Sequence, residues 1–326
     1  MAVTTARPGA APAEMTRPPR SLWKDAMRRL MRNKMALASV ITILLFAILA
    51  ASAPLLPLHD PVGYQSRNTD VGGGGPLLPP AWIQDVHPGN PKGNIRFPLG
   101  TDANGRDVLS RIIYGAQVSL MVGFIPVAII VTLGLMVGLT AGFMGGRVDN
   151  LLMRFTDVVY AFPDILFIII LISALRGTFF AEIMDGLLII FVALSVVGWV
   201  GVARLVRGQV LSLKEKEFVE AARAIGMSNK RIIVSHLLPN SLGPIIVSAT
   251  FAVPGFIITE AILSYIGIGI RPPRPTWGGM VQDGYANING GPHLLWIPAA
   301  CIAILTLSFT FLGDGLRDAL DPRMND

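Results

Sequence analysis

The chain has 326 residues, 52% of them hydrophobic and only 15% charged, with a mean hydropathy of +0.58. Soluble globular domains carry about 25% charged residues, so this composition excludes one, and the apolar residues gather into runs long enough to cross a bilayer. The net charge of +6 does not signal nucleic-acid binding, because the basic residues concentrate in alternate connecting loops.

Residues 1–34 form a cytoplasmic N-terminal arm. Its first 20 residues are rich in Pro, Ala, Thr and Arg and are expected to be disordered. From Ser21 to Lys34, Leu22, Trp23, Ala26, Met27, Leu30 and Met31 recur at helical spacing, with Lys24, Asp25, Arg28, Arg29 and Arg32 opposite them. That pattern predicts a basic amphipathic helix on the inner membrane surface. Residues 35–58 follow as a charge-free first span. They are too long, and the charged arm before them too extended, for a cleaved leader. Residues 59–111 form an extracytoplasmic region rich in Pro and Gly, including Gly72 to Gly75. It is too long for an ordinary loop and is expected to fold onto the protein or dock a partner.

Five further spans complete an all-α, six-helix protein. The second covers Val118 to Gly146, where Gly134, Gly138 and Gly142 repeat every four residues and predict close helix packing. The third covers Thr156 to Leu175 and is interrupted by Pro163 and Asp164. Arg154 and Asp157 are spaced to pair on one face. Gly186–Ala203, Leu242–Ile270 and Leu294–Gly313 are the fourth, fifth and sixth. Residues 112–313 thus make a five-helix core, with a charged loop at 204–240 and a tail at 314–326. With the N-terminus inside, cytoplasmic segments hold 19 of the 27 Lys and Arg, as the positive-inside rule requires. Glu260, inside the fifth span, either hydrogen-bonds neighbouring backbone near the outer surface or faces a pathway or gate.

No motif for nucleotide binding, metal hydrolysis or nucleophilic catalysis occurs. The four histidines have no metal-ligand spacing, and the lone Cys301 reads as a packing residue. No cofactor is expected in this chain.

The 204–240 loop carries Glu220-Ala221-Ala222, then Gly226, His236 and Leu238-Pro239. This resembles the EAA loop of bacterial ABC importer permeases, with His236 where the general pattern has Ile. The residues suit that reading: Gly226 ends one helix, Ser228 can cap the next, and Pro239 stops it before the membrane. Leu99-Gly100-Thr101-Asp102 with Gly105-Arg106-Asp107, Glu260-Ala261 through Trp277-Gly278, and Gly313-Asp314-Gly315 through Asp321-Pro322-Arg323 resemble the C-type permeases of oligopeptide and dipeptide importers. The resemblance spans residues 21 to 326. It implies a type I ABC importer permease (MetI-like) fold that moves peptides or related small solutes, nickel in one branch, by alternating access. It also implies the partners: a homologous B-type permease, two ATPase subunits that bind ATP-Mg, and an extracytoplasmic solute-binding protein. Glu220, Ala221, Ala222, Gly226, His236 and Pro239 would couple to the ATPase, with Ala222 facing a groove in it. The alternatives are a secondary transporter, which needs internal repeats and buried ion-coupling carboxylates, and a membrane-embedded structural or receptor protein. Neither explains the loop.

Overall fold

A computed structural model of the chain describes residues 22–62, 75–84 and 92–320. The expected disorder of residues 1–20, Gly72 to Gly74 and the Asp321-Pro322-Arg323 end of the tail lie outside them. Among the described residues the regular secondary structure is helical, apart from an isolated bridge between Thr101 and Asp107.

Helix α1 (Leu22–Arg32) is the amphipathic segment. Ala26 is buried while Met27 and Met31 are exposed, and α1 packs on the last helix. Asn33 breaks the chain there: its side chain accepts from the backbone N–H groups of Met35 and Ala36 at 3.1 and 3.2 Å, starting α2 (Lys34–Ser52). A short 3₁₀ turn, Ala53–Leu55, extends α2. Asp107 caps α3 (Val108–Met144), which begins ten residues before the expected second span.

The third span departs from a simple crossing. Helix α4 (Gly146–Tyr160) and α5 (Asp164–Leu175) meet at 79°, because Pro163 cannot donate to a continuing helix and holds extended backbone at φ −61°, ψ 121°. Asp157 pairs with Arg204 at 2.7 Å, not with Arg154, which donates to Asn150. The correction has a packing cause: α6 (Leu187–Leu213) lies beside α4 and presents Arg204 and Arg207, the latter forked onto Asp149 at 2.5 and 2.7 Å.

Beyond α6 come α7 (Glu217–Ala224) and α8 (Asn229–Ile232). A π-helical turn at Ile233–Leu237 then leads directly into α9 (Leu238–Tyr265). Helix α10 (Trp277–Ala286) and α11 (His293–Leu320) complete the chain. Among the described residues, five helical stretches are long and apolar enough to cross a membrane, and the bent α4–α5 pair makes a sixth if it counts as one span.

The most extensive packing joins α3 to α6, and the glycine repeat explains it. A β-carbon on Gly134, Gly138 or Gly142 would lie 2.5, 2.6 and 2.8 Å from side-chain carbons of Val202, Val206 and Val210. Without those β-carbons the two backbones approach closely, the form of association that serves helices in lipid. Helix α11 packs on α9 and α2, and α10 closes over α9 and α11. Large apolar side chains remain exposed on the outside, such as Ile41, Leu44 and Ile48 on α2. A water-soluble monomer would not expose such a surface, whereas hydrocarbon accommodates it.

Candidate functional site

The first candidate is the elbow from Lys216 to Asn240. Helix α7 has two faces. Val219 and Ala222, three residues apart, turn inward and join Val206 and Val210 of α6, Ile232, Leu237 and Ile245 in one apolar cluster. Ala222 is 3% exposed. It therefore packs within its own chain, which corrects the expectation that it faces a partner's groove. The outward face carries Phe218, Ala221 and Ile225, at spacings of three and four, with Glu220 alongside. Ile225 is 78% exposed. Sequence reasoning passed over Phe218 and Ile225; two large apolar residues flanking the EAA triplet in a charged loop were the available signal.

Gly226 ends α7 as expected. Its φ of +78° is left-handed, its N–H donates to the Arg223 carbonyl and that of Met227 donates to the Ala222 carbonyl. Those two bonds define the Schellman ending. Two other expectations fail. Ser228 holds the N-cap position of α8 but its hydroxyl makes no capping bond. Pro239 does not stop the helix: α8, the π turn and α9 form one continuous run from Asn229 to Tyr265. The wider π turn precedes the ring and relieves the clash that a proline makes with the preceding turn. His236 lies in that π turn, 6.1 Å from the Phe218 ring, so the elbow is tied to the base of α9.

At the opposite end of the bundle, residues 75–84 and 92–107 fold onto the helix ends. Thr101 is buried; its hydroxyl donates to the Gly75 carbonyl at 2.6 Å and accepts from the Leu78 N–H at 2.9 Å. Asp102 accepts from Arg106 at 2.7 Å and pairs with Arg111 at 3.4 Å. Asp283 on α10 approaches the same two arginines at 3.6 and 3.9 Å. Partial burial raises the Asp283 carboxyl above the usual carboxylate range, against the pull of Arg111 and Arg106. The Leu99–Asp107 motif is thus a folded cap on the helix ends, whose polar groups are held by one another, by Gly75 and Leu78, and by Arg111 and Asp283. Trp277, fully buried, donates its indole N–H to the Ile112 carbonyl at 2.9 Å and fills the space beside Gly115.

Glu260 is 1% exposed. Its carboxylate accepts from the Ser264 hydroxyl at 2.6 Å, a side-chain partner rather than the expected backbone one. The structure keeps it apart from the EAA residues, at the other end of α9.

A helical bundle with apolar outer surfaces and a structured elbow outside its spans is a membrane-embedded protein. Comparison with known proteins makes the class specific. Residues 130–326 match the model of the binding-protein-dependent transport system inner membrane component, and residues 21–80 match the N-terminal TM domain of oligopeptide transport permease C. The oligopeptide transport system permease protein OppC of Haemophilus influenzae is 40% identical over 95% of this chain and 91% of its own length. The dipeptide transport system permease protein DppC of Bacillus subtilis is 40% identical over 94% and 88%. In fold, the chain is similar to a solved structure of the MetNI methionine ABC transporter in an inward-facing conformation. The TM-score is 0.51 at 20% identity, over 65% of this chain and 96% of that one. The chain belongs to the family of binding-protein-dependent transport inner membrane components, and within it to the C-type permeases of ABC importers. That membership decides against a secondary transporter.

Proposed function

We propose that this chain is one half of the membrane pathway of an importer for peptides or related small solutes, paired with a homologous B-type permease. Two ATPase subunits, which bind ATP-Mg, dock below the permease pair, one of them on this elbow, and an extracytoplasmic solute-binding protein docks on the opposite end. The chain itself performs no hydrolysis. The observation that carries this reading is the two-faced α7. Its inner face is locked into the cluster at the base of α6 and α9, while Phe218, Ala221 and Ile225 stand outside. A push on the outer face is therefore delivered to two spans as a rigid body, which is what alternating access between two states needs. Glu220, Gly226, His236 and Pro239 shape the elbow around that contact. The concentration of Lys and Arg in alternate loops supports a cytoplasmic position for the elbow and both termini.

The test is Ile225→Asp, which puts a charge on the outer face without touching the core. It should leave the amount of membrane-inserted chain unchanged, and sharply reduce co-purification of the ATPase and uptake. Normal ATPase recovery with Ile225→Asp would sink the assignment.

A further inference from the structure

At the capped end, the close of α9, the 267–279 segment and the start of α3 enclose a cavity of about 840 Å³. Ligand sites run from about 300 to 1,000 Å³, so it holds a small solute. Its charged lining is lopsided: Arg106, Arg111, Arg176, Arg271 and Arg274 against Asp283. Three of these guanidinium groups have carboxylate partners. Arg106 and Arg111 are held by Asp102 and Asp283, and Arg274 pairs with Asp185 at 3.1 Å. The remaining two differ. Arg176 donates to the Gly267 carbonyl at 3.0 Å, which fixes its place, and has no ion-pair partner among the described residues. Arg271 has no ion-pair partner among the described residues. Glu260 stands behind the wall made by Ser264 and Thr276 and is not part of the lining.

We propose that this cavity is a carboxylate-binding subsite, in which Arg176 and Arg271 receive the terminal carboxylate of the solute as it enters the pathway. Guanidinium groups bind carboxylates through paired, charge-assisted hydrogen bonds. Asp102 and Asp283 balance the 106–111 pair behind them, so the charge left for a ligand is that of Arg176 and Arg271. The occupant is a small solute, because the cavity has the volume of a ligand site; Arg176 and Arg271 are exposed on it, whereas Arg106 and Arg111 are 7% and 5% exposed, so an entering carboxylate meets the first two. The wall also contains Ser264 and Gly269, at and just past the end of α9, so a solute held here is already against a transport helix. This inference rests on the peptide-importer reading.

The experiment uses the complete transporter in proteoliposomes, with trialanine and trialanine amide as probes. In Arg176→Gln/Arg271→Gln, trialanine import should fall at least about tenfold, since two charge-assisted contacts are lost and one is worth on the order of that factor. Import of the amide and ATP hydrolysis stimulated by the binding protein should stay within about twofold of wild type. Arg176→Lys/Arg271→Lys should recover part of the trialanine import. Unchanged trialanine import in the Gln variant overturns the subsite. So does an equal loss for acid and amide, or a parallel loss of stimulated hydrolysis, which would mark the arginines as a protein-docking contact. A wild-type complex that imports neither probe overturns the peptide reading, and this inference with it.

Discussion

At the scale of single residues, neighbours on α7 have opposite jobs. Ala222 is enclosed by Val219, Ile232 and Leu237, so Ala222→Trp is an overpacking change. It should cost about 1–3 kcal/mol, seen as a lower midpoint of thermal unfolding in detergent. Ile225→Asp should leave that midpoint alone. If both variants melted like wild type, the inward placement of Ala222 would be wrong. Gly226 makes a subtler case. A β-carbon there would meet nothing within 4 Å, so the objection to a side chain is the φ of +78° alone. Gly226→Asn, which tolerates that conformation, should therefore retain most uptake, while Gly226→Val should lose it. Equal activity of the two variants would remove the backbone argument. At the capped end, Asp102→Ala leaves Arg106 and Arg111 buried with only the distant Asp283. Removing one partner of a buried ion pair costs about 3–5 kcal/mol, so the variant should be degraded or melt far below wild type.

At the scale of elements, the α3–α6 contact should be the least tolerant of bulk. Gly138→Leu drives a side chain into Val206 and the Ala203 carbonyl and should prevent stable folding of the bundle. On α6 itself, Gly201 has no neighbouring atom within 4 Å of a β-carbon, so Gly201→Ala should be neutral or slightly stabilising. Detergent melts of the two variants separate contact glycines from those that merely occur in a helix. The bent α4–α5 pair rests on Pro163, and its α4 arm is clamped to α6 by Arg204–Asp157 and Arg207–Asp149. That clamp holds the bent third span beside the elbow-bearing helix.

At the scale of the whole molecule, the prediction is topological. With Cys301 replaced by Ala, a cysteine at Asn287 should react with an impermeant thiol reagent added outside, in spheroplasts where an outer membrane is present. One at Lys214 should react only after permeabilisation. Labelling of Lys214→Cys from outside would invert the assignment of both ends.

The sequence by itself determined the membrane class, the number of apolar runs and the position of the elbow. Each rests on local information: run length against bilayer thickness, loop charge, and the short-range chemistry of a triplet followed by a turn glycine. The close packing foreseen at Gly134, Gly138 and Gly142 was legible for the same reason, since a period of four marks one helix face. What only the tertiary structure decided depends on which elements lie side by side. Asp157 had a partner available three residues away on its own helix, yet α6 brought Arg204 closer. Ala222 looked outward-facing as a member of a motif, but the face of α7 that meets α6 and α9 is set by packing, and Val219 and Ala222 occupy it. Pro239 carried a stop signal that a π turn overrode. Arg106, Arg111, Arg176 and Arg271 are scattered over 166 positions, and no periodicity links them. They line one cavity because α3, the end of α5 and the segment after α9 converge at one end of the bundle, where long-range contacts alone set the neighbours.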